Sequence, residues 1–226
     1  VSGAHPLIRP NGEICRLSLP YSSSPMAAKR TRSSDEFFDS LVTNAIDFLE
    51  NSVTELQKRP KYSVINFCSG LEIFLKARLL LEHWSLLDIK PENAVLDKFK
   101  SGKFVSVSIG EAVKRLRNVA EETFTKEEEQ CFNQVREHRN QLVHFFHPAY
   151  ARKPDDVLLQ AIVIEQCKAW FYLHRLLTTR WSVQFKKHQA QIDQLDKTMH
   201  KHRSFLRAKF DAMTPDIDIE VQKGIE

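Results

Sequence analysis

The chain has 226 residues, 42% of them hydrophobic, and a formal net charge of +4 at pH 7. This length and apolar content suffice for one globular core with an extension, or for two small domains. No run approaches the roughly 18 apolar residues of a membrane span, and no charged-then-apolar signal sequence opens the chain. We therefore expect a cytoplasmic protein without a membrane partner. The modest positive charge is compatible with a nucleic-acid partner but does not identify one.

The four cysteines, Cys15, Cys68, Cys131 and Cys167, lie far apart in the sequence. No CxxC pair is present that would indicate a metal knuckle or a redox site. We therefore expect reduced thiols that lie mostly in the core, and neither a metal nor a cofactor.

Residues 1–33 are predicted to form an irregular leader. Residues 1–25 contain four of the nine prolines and two of the six glycines, a composition that disfavours regular structure. Met26 is a candidate natural start. The basic residues that follow it, Lys29, Arg30 and Arg32, suit either an arm that contacts RNA or a solvated leader.

Two helices are predicted next, because apolar residues recur at helical spacing. The first follows a capping box at residues 33–36 and runs from about residue 34 to 56. The second spans about residues 61–84 and is apolar around most of its circumference, which is typical of a central buried helix. Its residues Glu72 and Lys76 form either a local ion pair or the support of a site.

Residues 85–108 are predicted to be a connecting loop, in which Val105, Val107 and Ile109 alternate as a short strand would. A second capping box at residues 108–111 should open a helix that continues to Phe124. A third capping box at residues 125–128 should open the next helix, which Pro148 ends.

That next helix carries an unusual pattern, because Arg139 lies at the centre of its apolar face at about 100° per residue. Burying an unpaired charge costs on the order of several kcal/mol. Arg139 must therefore be paired, contact a partner chain or line a cleft. A polar stripe runs beside the apolar face at spacings of three and four residues. The apolar face consists of Phe132, Val135, Leu142, Val143 and Phe146, and the stripe of Asn133, Arg136, Asn140, His144 and His147.

The chain has no proline or glycine between Pro154 and Pro215, so a long helical region is predicted there. Its first part should pack on the bundle through Val157, Ala161, Ile164, Trp170, Phe171, His174, Leu177 and Trp181. Its second part, within residues 181–226, has a heptad pattern and can protrude as a coiled coil. The heptad seam consists of Phe185, His188, Ile192, Leu195, Met199, His202 and Leu206.

The same region is the most basic in the chain. Residues 180–210 contain eight Lys or Arg against two Asp, which suits either contact with phosphates or a solvated face. The candidate RNA-binding residues there are Lys186, Lys187, Arg203 and Arg207, with Arg136 as a further candidate. The tail at residues 216–221 alternates as a strand would.

The stretch Arg139-Asn140-Gln141-Leu142-Val143-His144 fits the pattern of an arginine, a polar residue, three further residues and a histidine. It resembles the signature of the HEPN superfamily, whose members are small all-α domains and often RNases. Residues 70–77 resemble the family's buried second helix, and residues 99–107 with 111–116 resemble the loop and helix of many bacterial members. The resemblance covers about residues 34–180 and implies an up-and-down helical bundle.

The resemblance also implies an activity, metal-independent cleavage of RNA by attack of the ribose 2′-OH, which leaves a 2′,3′-cyclic phosphate. In that reaction His144 would exchange protons near neutral pH. Arg139 would hold phosphate oxygens with its planar fork, and Asn140 would orient the phosphate or the imidazole. Bacterial members act in toxin–antitoxin, abortive-infection or phage-defence systems, which implies an antitoxin or another operon partner.

Family members often dimerise across this helix, so the resemblance implies a homodimer that brings two motifs into one cleft. Such a seam would also account for an arginine on an apolar face. Arg139 and His144 stand about 140° apart on an ideal helix. A long side chain, a loosened last turn or a residue from a partner chain must therefore close the gap between them.

Other interpretations stay open at this point. The chain can instead be a noncatalytic HEPN-like module that binds RNA or nucleotides or mediates dimerisation, or its basic helix can join the bundle to a domain beyond Glu226. Arg136 and His147 suit either phosphate binding or an exposed helical position, and His138 suits an ordinary surface or core role. A zinc site at His144 and His147 would lack a nearby cysteine.

Overall fold

The computed structural model describes residues 32–150 and 156–202, together with residues 205, 207, 208, 211 and 213. Residues 1–31 of the predicted leader, Arg203, Leu206 and the tail at 216–221 lie outside these described residues, and the last two residues of the predicted leader belong to α1. The described part of the chain is all-α, as predicted, and contains no strand. Its helices are α1 (Arg32–Glu55), α2 (Pro60–Leu80), α3 (Leu96–Lys100), α4 (Ile109–Val119), α5 (Lys126–His144), α6 (Asp156–Arg175), α7 (Ser182–Phe185) and α8 (Gln189–Met199).

Helix α2 is the centre of the bundle, and α1, α4, α5 and α6 all pack on it. It is buried over most of its circumference, as the sequence predicted, and a partly exposed stripe runs through Tyr62, Ser69 and Glu72. Helix α1 buries one face, which includes the predicted Val42, Ala45, Leu49 and Val53. It begins at Arg32, upstream of the predicted cap at Ser33.

Gly70 allows α1 and α2 to approach closely. A Cβ atom at this position would lie 2.8 Å from Leu49 Cδ2 and 3.0 Å from the backbone oxygen of Ala45. Leu49 is 1% exposed and the carbonyl belongs to a helix, so neither neighbour has room to move. The glycine therefore sets the distance between the two helices.

We expect Gly70→Ala to destabilise the fold by about 1–2 kcal/mol. Overpacking costs about 1–3 kcal/mol, and the better helix propensity of alanine returns up to about 1 kcal/mol. Urea denaturation of the variant measures the difference. The adjacent Ser69→Ala is the control, since the Ser69 hydroxyl is partly buried and donates a hydrogen bond to the carbonyl of Ile65 one turn back. Equal stability of Gly70→Ala and the parent would contradict the close packing.

The connection between α2 and α4 differs from its prediction. Helix α2 ends at Leu80, before its predicted end near residue 84, and a short 3₁₀ helix at Trp84–Leu87 lies at the start of the predicted loop. The predicted strand is a single antiparallel bridge between Asp88 and Ser106. Arg115 fixes this connection, because its buried guanidinium donates to the carbonyls of Leu86, Asp88 and Ile89.

Helix α4 is shorter than predicted. It starts at the predicted cap, where the hydroxyl of Ser108 accepts a hydrogen bond from the Glu111 N–H. It ends at Val119, since Glu121 has a positive φ of 53°, a conformation outside the right-handed helix. Val119 is half-exposed, so it does not contribute the core contact that its helical spacing suggested.

The N-terminus of α5 confirms its predicted capping box. The Thr125 hydroxyl accepts from the Glu128 N–H, and the Glu128 carboxylate accepts from the Thr125 N–H at 2.9 Å. The Glu128 carboxylate is 1% exposed and also accepts from Arg175 and Arg180. The cap of α5 therefore joins it to the end of α6 and the turn that follows.

The C-terminal region is not one long helix, in contrast to the prediction. Helix α6 runs into a π-turn at Leu176–Arg180, and a 3₁₀ turn at Lys186–His188 separates α7 from α8. The predicted seam does not protrude, because its described residues pack against the bundle, where α8 contacts α1. The buried members of the seam are Phe185, His188, Ile192, Leu195 and Met199.

The first half of α6 is rotated relative to its prediction. Val157 is 78% exposed and Ala161 is exposed, whereas Ile162, Val163 and Cys167 are buried. The later predicted contacts of Trp170, Leu177 and Trp181 are confirmed, since each is fully buried. Helical periodicity alone does not resolve the face of a helix that is apolar on several sides.

The described helices include none that is both long enough and apolar enough to cross a membrane. The described cysteines, Cys68, Cys131 and Cys167, are free and buried, as predicted. Burial raises the pKa of the Cys167 thiol to about 12, so this residue stays a neutral core side chain at neutral pH.

Candidate functional site

Arg139 lies at the edge of the packed face of α5, with 28% of its side chain exposed. Its guanidinium donates to Asn140 Oδ1 at 3.0 Å and lies 3.5 Å from Glu72 Oε2 on α2. The sequence required that a charge on an apolar face be paired, contact a partner chain or line a cleft. Arg139 is paired with residues of its own chain and is still open to solvent on one side.

Glu72 holds two cations at once. Its carboxylate accepts from Lys76, one turn along α2, as well as from Arg139. Lys76 is only 8% exposed and also donates to the Ser106 hydroxyl at 2.8 Å. The pair Glu72 and Lys76 is thus more than a local ion pair, because it also anchors Arg139.

Cys68 lies beneath this ion-pair cluster. Burial raises the pKa of its thiol to about 11, and the positive charge of the neighbouring Arg139 only partly opposes that effect. The thiol is therefore protonated at neutral pH and unsuited to act as a nucleophile. Its part in the site is that of a buried neutral neighbour of the guanidinium.

Arg136, one turn before Arg139, packs between α5 and the start of α4. A Cβ atom on Gly110 would lie 3.3 Å from its Nη1, so the glycine leaves room for the guanidinium. Its Nε is buried without a hydrogen-bond partner among the described residues. Arg136 is therefore not the freely exposed helical side chain that the sequence predicted as one alternative.

His144 is the last residue of α5 and its side chain is exposed. The described part of the chain supplies it with no hydrogen-bond or ion-pair partner. The helix is regular to this point, since the Phe145 N–H bonds to the Gln141 carbonyl at 3.2 Å. A loosened last turn therefore does not bring His144 to Arg139, and the two residues stay about 7.5 Å apart along the helix axis.

Apolar side chains are exposed around the end of α5. Phe132, Val135 and Leu142 are buried in the bundle, so that part of the predicted seam is covered by the chain itself. Val143 and Phe146 are 50% and 52% exposed, and Phe145, just past the helix, is 90% exposed. These three residues, the apolar tip of α5, leave a hydrophobic surface next to His144.

His147 does not belong to the polar stripe that was predicted along α5. Helix α5 ends before it, and His147 is 6% exposed in the turn that leads into Pro148–Tyr150. Its ring hydrogen-bonds to His138 at 2.9 Å, and His138 also bonds to Glu165 on α6. His147 is thus neither an exposed helical side chain nor free to bind phosphate.

The candidate basic residues lie on another part of the bundle, around α7 and α8. Lys187 pairs with Asp39 of α1, while Lys186 and Arg207 are exposed. Arg203 lies outside the described residues. Arg180, which the sequence counted in the same basic region, is held by the buried Glu128.

The sequence identified the arginine, asparagine and histidine of the motif and left Glu72 and Lys76 as either a local ion pair or the support of a site, but it did not connect them or Ser106 to Arg139. The signal for Glu72 and Lys76 was their position on a helix that is otherwise buried, where charged side chains need partners. Nothing in the sequence indicated Ser106.

The described residues contain no group of three or more His, Cys, Asp or Glu side chains placed to hold a metal ion. Comparisons with family models, curated proteins and solved structures find no match to this chain.

Proposed function

We propose that this chain is a metal-independent endoribonuclease of the HEPN type, with Arg139, Asn140 and His144 as its catalytic residues. One observation carries the proposal: a guanidinium that is anchored by Glu72 stays partly exposed on the helix that ends in an exposed histidine. The combination supplies a fixed cation for a phosphate and an imidazole free to exchange protons.

Arg139 suits the task of binding a phosphate oxygen. Glu72 is shared between Lys76 and Arg139, so one carboxylate faces two positive charges. A phosphate can then contact the open side of the guanidinium and add the negative charge that balances the cluster. Such a contact is strongest when charge develops on the phosphorane in the transition state.

His144 and Asn140 suit the remaining steps. Attack by the 2′-OH requires that a base take its proton and that an acid protonate the 5′-oxygen of the leaving group. An exposed imidazole does either near neutral pH. Asn140 is exposed and already bonded to Arg139, so its amide can orient the phosphate beside the guanidinium.

We propose further that two chains share the cleft. Arg139 and His144 point about 140° apart on a regular helix, which separates them within one chain. The apolar tip of α5, Val143, Phe145 and Phe146, provides surface that a second copy of the helix would cover. A twofold dimer would then place the arginine of one chain near the histidine of the other.

Cleavage of single-stranded RNA in EDTA tests the activity. We expect His144→Ala to lose about 10²–10⁴-fold and Arg139→Ala about 10²–10³-fold in rate, from the usual contributions of acid–base and electrostatic catalysis. His83→Gln, at an exposed histidine that bonds Ser85, is the matched control and should keep the parent's rate. Variants as active as the parent would refute the site.

RNA binding without turnover by the parent would instead favour the noncatalytic module. A toxin or phage-defence role, with an antitoxin or other operon partner, follows from the family resemblance. Expression of the parent protein alone in a bacterial host should then slow growth, and expression of His144→Ala should not.

A further inference from the structure

Three side chains outside the proposed catalytic motif form a continuous chain of hydrogen bonds. Glu165 on α6 bonds to His138 Nε2, His138 Nδ1 lies 2.9 Å from His147 Nε2, and His147 Nδ1 accepts from the Ala149 N–H at 3.1 Å. The chain of bonds joins α6, α5 and the turn after α5. We call that turn, residues 145–150, the post-helix turn.

Only one arrangement of protons satisfies every bond when both rings are neutral. The Ala149 N–H is always a donor, so His147 Nδ1 must accept and its Nε2 must carry the proton. His147 Nε2–H then donates to His138 Nδ1. His138 must therefore carry its own proton on Nε2, which donates to the Glu165 carboxylate.

An additional proton on either ring breaks this arrangement. A proton on His147 Nδ1 would face the N–H of Ala149, and a proton on His138 Nδ1 would face His147 Nε2–H. If the proton of His147 moves from Nε2 to Nδ1, the clash with His138 Nδ1–H is relieved. The proton on His147 Nδ1 then faces the N–H of Ala149. Protonation of either imidazole thus costs at least one hydrogen bond at a buried position, where an unpaired donor is unfavourable.

The bonds hold a segment with little other regular structure. Helix α5 ends at His144, and Phe145 has an irregular backbone conformation, with φ −150° and ψ −112°. His147 and Ala149 are 6% and 0% exposed, so the post-helix turn is anchored by the histidine chain while Phe145 points outward. The same anchor fixes the end of α5 on which His144 stands.

We infer that Glu165, His138 and His147 form a latch that fastens the post-helix turn to α5 and α6 at neutral pH and releases it when the imidazole of His147 takes up a proton. His138 and His147 are thus positioning residues for the end of α5. The inference goes beyond the proposed RNase activity and stands without it.

The electrostatic surroundings agree with a latch that opens in acid. Burial, and next the nearby His138, hold the pKa of His147 below its ordinary value of 6.5, while Glu165 opposes them. Among the described residues, Tyr150 also faces His147 edge-on at 6.3 Å, and Lys168 lines the same cavity as Glu165. Burial raises the pKa of Tyr150, so it stays neutral.

The sign of the pH dependence follows from that direction. Well above pH 6.5 the ring of His147 is neutral in both the fastened and the released forms, and the latch contributes fully. As the pH falls below 6.5, the released form binds a proton more readily than the fastened form, so the contribution is lost. It reaches its minimum below the lowered pKa of His147.

Amide hydrogen exchange at pH 7.5 and 5.5, corrected for the intrinsic pH dependence, tests the latch without RNA. We expect the protection of the Ala149 and Tyr150 amides, which donate to the ring and to the carbonyl of His147, to fall by up to about tenfold in the parent at the lower pH. In His147→Asn, which keeps an acceptor for Ala149 but cannot reach His138, protection should be low at both values. His138→Gln, which keeps a donor for Glu165, should behave in the same way.

His83→Gln is the control and should keep the full pH step. Equal protection of the parent's turn at both pH values, or a step that persists in His138→Gln and His147→Asn, would overturn the latch. Nitrogen NMR of the parent gives a second measurement that needs no variant. It should show both rings as neutral Nε2–H tautomers at pH 7.5, and a charged His147 or an Nδ1–H tautomer there would overturn it as well.

Discussion

A mixture of Arg139→Ala and His144→Ala chains should regain about a quarter of the parent's RNase activity, although each variant alone is nearly inactive. If the cleft pairs the arginine of one chain with the histidine of its partner, a mixed dimer has one site without either residue and one intact site. Random exchange makes half of the dimers mixed, and half of their sites are intact.

The two variants should be co-expressed with different tags, so that mixed dimers form and can be isolated. The control replaces the His144→Ala chain by the double variant Arg139→Ala/His144→Ala, which leaves no intact site in any dimer. A mixture that stays as inactive as this control would show that each site lies within one chain. The shared cleft would then be wrong, whereas the activity itself would be unaffected.

The second large effect concerns stability. We expect Glu128→Gln to lower the free energy of unfolding by about 2–3 kcal/mol. Glu128 is 1% exposed and accepts from Arg175 at 3.2 Å and from Arg180 at 2.7 Å. Breaking a buried ion pair costs about 3–5 kcal/mol. Both arginine side chains are about one-third exposed, so water recovers part of the loss.

The adjacent Glu129→Gln is the matched control, because Glu129 pairs with Arg117 at the surface and its side chain is 33% exposed. Surface pairs of this kind contribute about 0–1 kcal/mol. Thermal unfolding should therefore show a decrease of about 5–10 °C for Glu128→Gln and little change for Glu129→Gln. Equal effects of the two substitutions would contradict a structural role for the buried carboxylate.

Local sequence patterns predicted the features of the fold that depend on local interactions. The capping box of Thr125 and Glu128 and the apolar face of α1 are examples, since each is formed by residues three or four positions apart. The apolar residues around most of the circumference of α2 likewise indicated a central helix, because a buried position satisfies them.

Tertiary contacts decided the features that the sequence did not reveal. The heptad residues Phe185 to Met199 suit a coiled coil or a bundle equally well, and packing against α1 selects the bundle. His147 appeared to continue a helical stripe. Its bonds to His138 and Ala149 instead hold it in a turn, three residues beyond the end of α5.

The candidate site likewise has features that the sequence revealed and features that only tertiary contacts determine. The order of Arg139, Asn140 and His144 is visible in the sequence, whereas the ion pair of Arg139 with Glu72 joins residues 67 positions apart. Spacing along one helix cannot indicate such a partner. The separation of Arg139 and His144 by about 140° around the helix axis was predictable from their spacing, and it is retained because α5 is regular to its end.

The most direct test of the central claim is the chemistry of the cut ends. Purified parent protein in EDTA should convert an RNA oligonucleotide into products that end in a 2′,3′-cyclic phosphate, identified by their mass. The same oligonucleotide with 2′-deoxyribose at the cleaved position should stay intact. Products with simple 3′-hydroxyl ends, or equal cutting by His144→Ala purified in parallel, would contradict the account.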